Sequence, residues 1–249
     1  MMSSARLLDL HDYDPEMAAL QRANPLVLPS TKIWVRSRDW ESASPPRRKF
    51  SVGIVGTRKP SEYGVRVTEE LVKRLSAYDM CIVSGGAFGI DRIAHEAALE
   101  RDLSTRAWLV GPIDDPSPRS HRHLFEKIER SSGSALLVPG HLNDPESGAR
   151  RHLGAWAWLA RNAWVGAEVD ALVVVEAYLK SGTWRTAKDA ADLGKSVFVV
   201  PGSLFTGSSC GTNKMISESY ALPIWDLGEL TETLVVLALQ RSYNIAKGS

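Results

Sequence analysis

From residue 51 onward the chain alternates short apolar runs rich in β-branched residues with longer amphipathic segments, and that alternation constrains the fold more than any other feature. Residues 51–55, 80–83, 106–110, 135–138, 171–176 and 197–200 read as strands that are largely apolar on both faces. Between them the period lengthens to that of a helix. Residues 61–78 place Val65, Leu71, Val72 and Leu75 near one face, and 90–101, 120–131, 151–166 and 183–193 follow as further helices, the last ending at Gly194. Strands buried on both sides and separated by helices belong to a parallel sheet covered on both faces. The expected class is therefore α/β, an extended Rossmann-like, mostly parallel sheet with helices on both faces. Residues 223–225 add an expected edge strand and 230–239 a last helix.

The segment before residue 50 reads differently. Residues 1–30 contain Pro15, Pro25 and Pro29 and are expected as an annex with one short helix over 15–23 and no core of its own. Residues 31–36 alternate Ile33 and Val35 with Trp34 and Arg36, the pattern of a half-buried edge strand. Residues 37–49, with Pro45, Pro46 and three basic residues in a row, read as a linker. The expected division is thus 1–49 and 50–249. Across its 249 residues the chain carries 30 basic and 29 acidic side chains, so any site for a polyanion must be local. No apolar run is long enough to span a bilayer, and Asp9, Asp12, Asp14 and Glu16 oppose a secretory signal, which points to a cytoplasmic protein without a membrane partner. Cys81 and Cys210 lack metal-ligand spacing and are expected as free thiols.

In such sheets ligands bind beyond the carboxyl ends of the strands, so the loops there carry the chemistry. Gly56-Thr57-Arg58-Lys59-Pro60 offers a glycine for close backbone approach, a hydroxyl, and an arginine able to grip phosphate, or else a tight turn with solvated bases. Ser84-Gly85-Gly86-Ala87-Phe88-Gly89-Ile90-Asp91 resembles a phosphate cradle. Neither loop has the spacing of a dinucleotide fingerprint or a P-loop. Asp91 and His95 read as a helix cap and a packed histidine. Ser181, Gly182 and Thr183 open a helix and suit an anion, while Glu176 ends its strand as a structural carboxylate. A fourth loop runs from Pro201-Gly202-Ser203 through Asn213 and Lys214. His121 and His123 are a weak metal signal and are expected at a solvated helix start. No set of residues assembles into a catalytic constellation; the sum is several anion-binding loops on one rim.

Taken together and in order, these loops resemble the DNA-processing protein A (DprA/Smf) family. The motifs are Ile54-Val55-Gly56-Thr57-Arg58 with Tyr63-Gly64, Val83 through Asp91 with Ala94-His95, and Gly111-Pro112-Ile113-Asp114 with His121 and Leu124. Arg161-Asn162, Glu176 with Ser181-Gly182-Thr183 and Ala187, Val199-Val200-Pro201-Gly202, and Asn213-Lys214-Met215-Ile216 complete the series, over about residues 25 to 222. The resemblance implies a non-enzymatic cytosolic protein without a cofactor that binds single-stranded DNA, forms a homodimer and loads a RecA-type recombinase. Its phosphate contacts would come from Gly56, Thr57, Arg58, Lys59, Ser84, Gly85, Gly86, Gly89, Arg161, Asn162, Ser181, Gly182, Thr183, Asn213 and Lys214. Two family arginines are replaced, by Phe88 and Ala163. Phe88, Trp164 and Trp184 are either base-stacking platforms or core aromatics. No family-type N-terminal helical domain or C-terminal winged helix is recognised. The alternative from another class is a nucleotide-binding enzyme or sensor such as a nucleotide phosphoribohydrolase, whose P-G-G-x-G-T-x-x-E motif does not occur.

Overall fold

The computed structural model describes residues 4–41, 49–142 and 154–248. Nine strands form one sheet in the order β1-β2-β6-β5-β4-β3-β7-β8-β9. In chain order these are β1 (Arg6–Asp9), β2 (Lys32–Arg36), β3 (Phe50–Val55), β4 (Met80–Ser84), β5 (Ser104–Trp108), β6 (Ala135–Pro139), β7 (Ala171–Val174), β8 (Ser196–Val199) and β9 (Leu222–Pro223). All neighbours from β6 to β9 are parallel, while β1 and β2 run antiparallel at one side. Chain order reverses between β3 and β7, so the crevice of the fold opens where those two strands end.

Alternation along each strand sorts the core into two layers. Val52, Ile54, Ile82 and Val173 meet Leu71, Val72 and Leu75 of α3 (Glu62–Leu75), Ile90 and Ala94 of α4 (Ile90–Leu99), and Leu230 and Leu234 of α9 (Leu227–Gly248). Val55, Val83, Leu172 and Val174 face the other way, onto Ala163, Trp164 and Val165 of α6 (Ala155–Glu168), Ala187 and Ala190 of α7 (Gly182–Asp192), and Met215 of α8 (Gly207–Ser217). Val65 is only half-buried, because the inward stripe of α3 runs through Thr68 instead. α5 (Arg122–Arg130) covers the β5–β6 end of the sheet. Among the described residues no helix is long and apolar enough to cross a membrane.

Three sequence expectations change. The N-terminal thirty residues contribute to the core after all: Leu10 and Tyr13 of α1 (Leu10–Tyr13), Met17 of α2 (Pro15–Ala23) and Leu28 are buried in the α6–α7 layer. The strand β1, which has only one clearly apolar pair, Leu7-Leu8, covers β2, so β2 is not the edge. The loop expected around Gly207 to Lys214 is the helix α8. Its glycine and hydroxyl residues make it thin enough to lie on the β7 loop, where the Gly211 amide donates to the Ala177 carbonyl at 2.8 Å. Part of the expected 37–49 linker and the first residues of the expected 151–166 helix lie outside the described residues.

One charged pair is buried in the sheet layer. Arg106 of β5 donates to Glu168 Oε1 at 2.8 Å, Tyr13 donates its hydroxyl to the same oxygen at 2.8 Å, and the Trp108 indole donates to Oε2. This network anchors α1 to the end of α6, which explains why the N-terminal segment is held although it is short.

Candidate functional site

The loops after β3, β4 and β7 are laced together by hydrogen bonds to backbone carbonyls. The Thr57 amide donates to the Glu176 carbonyl at 2.8 Å, the Ile90 amide to the Thr57 carbonyl at 3.2 Å, and the Thr183 hydroxyl to the Gly56 carbonyl at 2.9 Å. Around this knot lies a cavity of about 280 Å³ lined by, among others, Thr57, Arg58, Arg161, Asn162, Gly182 and Thr183. Eight sequence-predicted residues therefore converge at the switch point, these six together with Gly56 and Ser181.

The glycines of the first two loops serve packing inside the protein. A Cβ on Gly56 would meet Ile90 Cγ1 at 2.5 Å, so this glycine admits α4 rather than a ligand. A Cβ on Gly85 would coincide with the Arg161 guanidinium, and one on Gly86 would press on Leu109 at 2.7 Å. Gly89, at φ 76°, lets the loop touch the Thr57 carbonyl. The expected cradle of Ser84, Gly85 and Gly86 is likewise turned inward. Ser84 donates its hydroxyl to the Ile54 carbonyl at 2.7 Å, and the amides of Gly85 and Ala87 point to Asp91 Oδ2 at 3.2 and 3.4 Å. An internal carboxylate thus takes up two of the loop amides. Burial raises the pKa of Asp91, opposed by the charge of Arg161 and by these amides.

Arg161 of α6 is the deepest cation at the site, only 3% exposed. Its Nη1 lies 3.9 Å from Asp91 Oδ2, and its Nε has no hydrogen-bond partner among the described residues. Burial brings its pKa down to about 10, with Asp91 raising it and Arg58 lowering it further. Trp158, which the sequence reading passed over, sits under both cations: its ring centroid is 5.2 Å from Arg58 Cζ and 5.7 Å from Arg161 Cζ. The available signal was the i, i+3 spacing of Trp158 and Arg161 on one helix face. Arg58 and Lys59 are exposed. On the far wall, Ser181 caps α7 by accepting from the Trp184 amide at 3.2 Å, and Asn162 donates to the Gly182 carbonyl at 3.2 Å. The first-turn amides of α7 have no acceptor within the helix and present partial positive charge.

Other predicted residues stand apart from the cavity. Asn213 clamps the Gly202 backbone through both amide atoms, at 3.1 and 2.9 Å, and Lys214 pairs with Glu218 at 3.3 Å. Glu176 accepts from the Ser61 amide and hydroxyl at 2.9 and 2.7 Å and from the Ser208 hydroxyl at 3.2 Å, the structural role expected for it. Its Oε2 would lie 2.5 Å from a Cβ on Gly64, which accounts for the glycine of the Tyr63-Gly64 pair. Trp164 is fully buried against Trp108, at 5.4 Å between ring centroids, so it is a core aromatic. Trp184 is half-buried and packs edge-on to Tyr220. Phe88 is 45% exposed and rests edge-on against His121. His121 is buried rather than solvated, donating from Nδ1 to the Gly86 carbonyl at 3.0 Å, because it props the glycine loop from below. Tyr178, exposed at the cavity wall, is a second aromatic that the sequence reading did not single out. Cys81 and Cys210 are free thiols.

The model of the DNA recombination-mediator protein A family matches residues 42–235. The DNA processing protein DprA of Mycobacterium tuberculosis is 37% identical over 166 residues, 67% of this chain and 40% of the relative. That of Bacillus subtilis is 32% identical over 183 residues, 74% of this chain and 58% of the relative. The chain thus spans between 40% and 58% of the length of these relatives. DNA processing protein A from Helicobacter pylori, whose solved structure concerns its single-stranded DNA binding mode, superposes with a TM-score of 0.72 at 25% identity, covering 94% of this chain and 98% of that one. With the family model spanning most of the chain and the fold matching over 94% of it, the chain belongs to the DNA recombination-mediator protein A family.

Proposed function

We propose that the chain binds single-stranded DNA across the β3–β7 crevice without sequence preference, shields the strand and passes it to a RecA-type recombinase. The observation that carries the reading is the convergence of Arg58, Arg161 and the α7 N-terminus at the topological switch point, with Trp158 beneath both guanidiniums. Backbone-directed cations beside accessible aromatics are what a sequence-tolerant single-strand site needs, and Phe88 and Tyr178 supply exposed rings. Family membership supports the role in recombination, the recombinase partner and the cytoplasmic setting. The protein acts as a binder and not as an enzyme: Asp91 and Glu176, the carboxylates at these strand ends, are committed to loop amides and hydroxyls. A homodimer completes the proposal. Leu222 and Trp225 beside the sheet edge, and Val236, Leu239 and Tyr243 along one stripe of α9, offer exposed apolar surface for a second copy.

Fluorescence anisotropy with labelled oligo-dT of increasing length, at several salt concentrations and with duplex and mononucleotide competitors, tests the reading. Three cations reaching phosphate, Arg58, Lys59 and Arg161, give a slope of about −2 in log K against log salt. Affinity that neither grows with length nor falls with salt removes the proposal, and a monomer in sedimentation at working concentration removes the dimer.

A further inference from the structure

The depth of Arg161 sets it apart from the other cation of the crevice. Arg58 is exposed and can follow a strand passing over the surface, whereas Arg161 is nine-tenths buried and lines the wall of the cavity together with the buried Val55 and Val165. Its Nε is unpartnered among the described residues, and its carboxylate partner there, Asp91, lies at 3.9 Å with Oδ2 already accepting from two amides. One carboxylate against two guanidiniums leaves the described wall with a positive excess, to which the first turn of α7 adds its partial charge. The cavity volume, about 280 Å³, falls just short of the range of about 300–1,000 Å³ for small-molecule sites. That accommodates one nucleotide and not a run of bases.

These features favour one kind of phosphate over another. An internal phosphodiester carries two ester links, and both must lead back to the surface. A phosphomonoester carries one link and three free oxygens, with a charge of about −1.5 to −2 near neutral pH, and can descend end-on to a buried guanidinium. We propose that this cavity seats a nucleoside phosphomonoester, either the phosphorylated end of a single strand or a free nucleoside monophosphate. Arg161, held against the Trp158 ring, grips the terminal phosphate, the amides of Gly182 and Thr183 approach from the far wall, and Tyr178 flanks the nucleoside. The strand-end form rests on the single-strand reading above; the mononucleotide form does not.

The full chain is titrated with four probes: oligo-dT carrying a terminal phosphate at the 5′ or the 3′ end, the same oligomer with hydroxyl ends, a circular dT strand, and thymidine monophosphate beside thymidine. Strand-end recognition predicts that one phosphorylated oligomer binds roughly tenfold more tightly than hydroxyl-ended or circular DNA, the worth of a charge-assisted contact. Mononucleotide recognition predicts that thymidine monophosphate binds where thymidine does not, even if no strand end is preferred. Equal binding of all three strand types with no binding of thymidine monophosphate overturns the inference and leaves the single-strand reading intact. Thymidine monophosphate binding without any strand binding overturns the single-strand reading and leaves the inference intact. Failure of every probe overturns both. Gly182→Asp, an acidic residue at the first turn of a helix where the fold tolerates it, and Arg161→Lys locate the site. In each, once circular dichroism shows it folded, the phosphate preference should vanish; a preference that persists in folded Gly182→Asp overturns the assignment to this cavity.

Discussion

Gly85→Ala isolates the interaction on which the crevice depends. The backbone at Gly85 is not in the left-handed region, so an alanine there meets no conformational penalty of its own, unlike Gly86 at φ 65° or Gly89 at φ 76°. The added methyl would coincide with Arg161 Nη1 and lie 2.7 Å from Asp91 Oδ2. Elsewhere a long side chain would simply swing aside, but this guanidinium is packed beneath the sheet end and against the Trp158 ring. Moving it separates a buried charge from its partner, which typically costs about 3–5 kcal/mol. Asp91 keeps its two amide donors, so the lower end, about 3 kcal/mol, is expected, or a fall in Tm of roughly 6–12 °C for a chain of this length. The assay is a double-mutant cycle by urea denaturation with Arg161→Ala. Once the arginine is truncated, Gly85→Ala should cost markedly less than in the wild type, because only the smaller shift of Asp91 Oδ2 remains. If Gly85→Ala is as costly in that background as in the wild type, the glycine serves some purpose other than admitting Arg161, and the account of the loop fails.

Four further outcomes follow from the same structure. Arg58→Ala should weaken oligo-dT binding by about 1–3 kcal/mol, the range for a hydrogen bond to a charged group, measured by anisotropy; unchanged affinity removes Arg58 from the site. Phe88→Arg should tighten binding and steepen the salt dependence by about 0.7 of a unit, and the absence of any gain would show that the Phe88 ring already contributes as much. Glu168→Ala leaves Arg106 buried without its carboxylate and should lose about 3–5 kcal/mol in chemical denaturation; a loss under about 1 kcal/mol would mean that the network is not needed to hold the fold. His95, fully buried with Nδ1 on the Thr105 hydroxyl and with the charges of Arg161 and His121 acting on it, titrates at about 3 in the folded chain against 6.5 unfolded. Between those values the unfolded state binds the extra proton, so its contribution to stability is complete above pH 6.5 and falls by about 1.4 kcal/mol per unit as pH drops toward 3. The difference between wild type and His95→Gln should show that slope from pH 6 to 4. Asp91, with its raised pKa, tilts both proteins the opposite way and cancels in the difference; parallel curves would refute the assignment.

The parallel strands were legible because burial on both faces leaves an unbroken apolar run, as in Ile82-Val83 and Leu172-Val173-Val174, that no neighbouring helix imitates. The switch-point loops were legible for a related reason, since they punctuate those runs. What escaped the sequence was governed by long-range contacts. Nothing within residues 6–17 announces that Tyr13 reaches Glu168, 155 positions away, to hold α1 against α6. The run from Gly207 to Lys214 has the composition of a loop, and it becomes a helix because its small residues fit where larger ones could not approach Ala177. Trp158 drew no attention because an aromatic on a helix next to a sheet is ordinarily core, and only the positions of Arg58 and Arg161 give it another role.

The two glycine loops show why composition alone misjudges an anion site. A loop rich in glycine offers free amides, but an amide binds whichever acceptor reaches it first, and within six residues the chain supplies its own in Asp91. That carboxylate then needs a counter-charge, which Arg161 provides from the other layer, and Gly85 must lack a side chain for the arginine to fit. The electrostatic consequence runs outward. The glycine loop turns the amides of Gly85 and Ala87 onto Asp91 and fixes Arg161, whose Nε is left unpartnered among the described residues at the cavity wall. Affinity for phosphate should therefore depend more on Arg161, Arg58 and the first turn of α7 than on the loop that looks most like a phosphate cradle. Exchanging Ser84, whose hydroxyl serves Ile54, should accordingly alter stability before it alters binding.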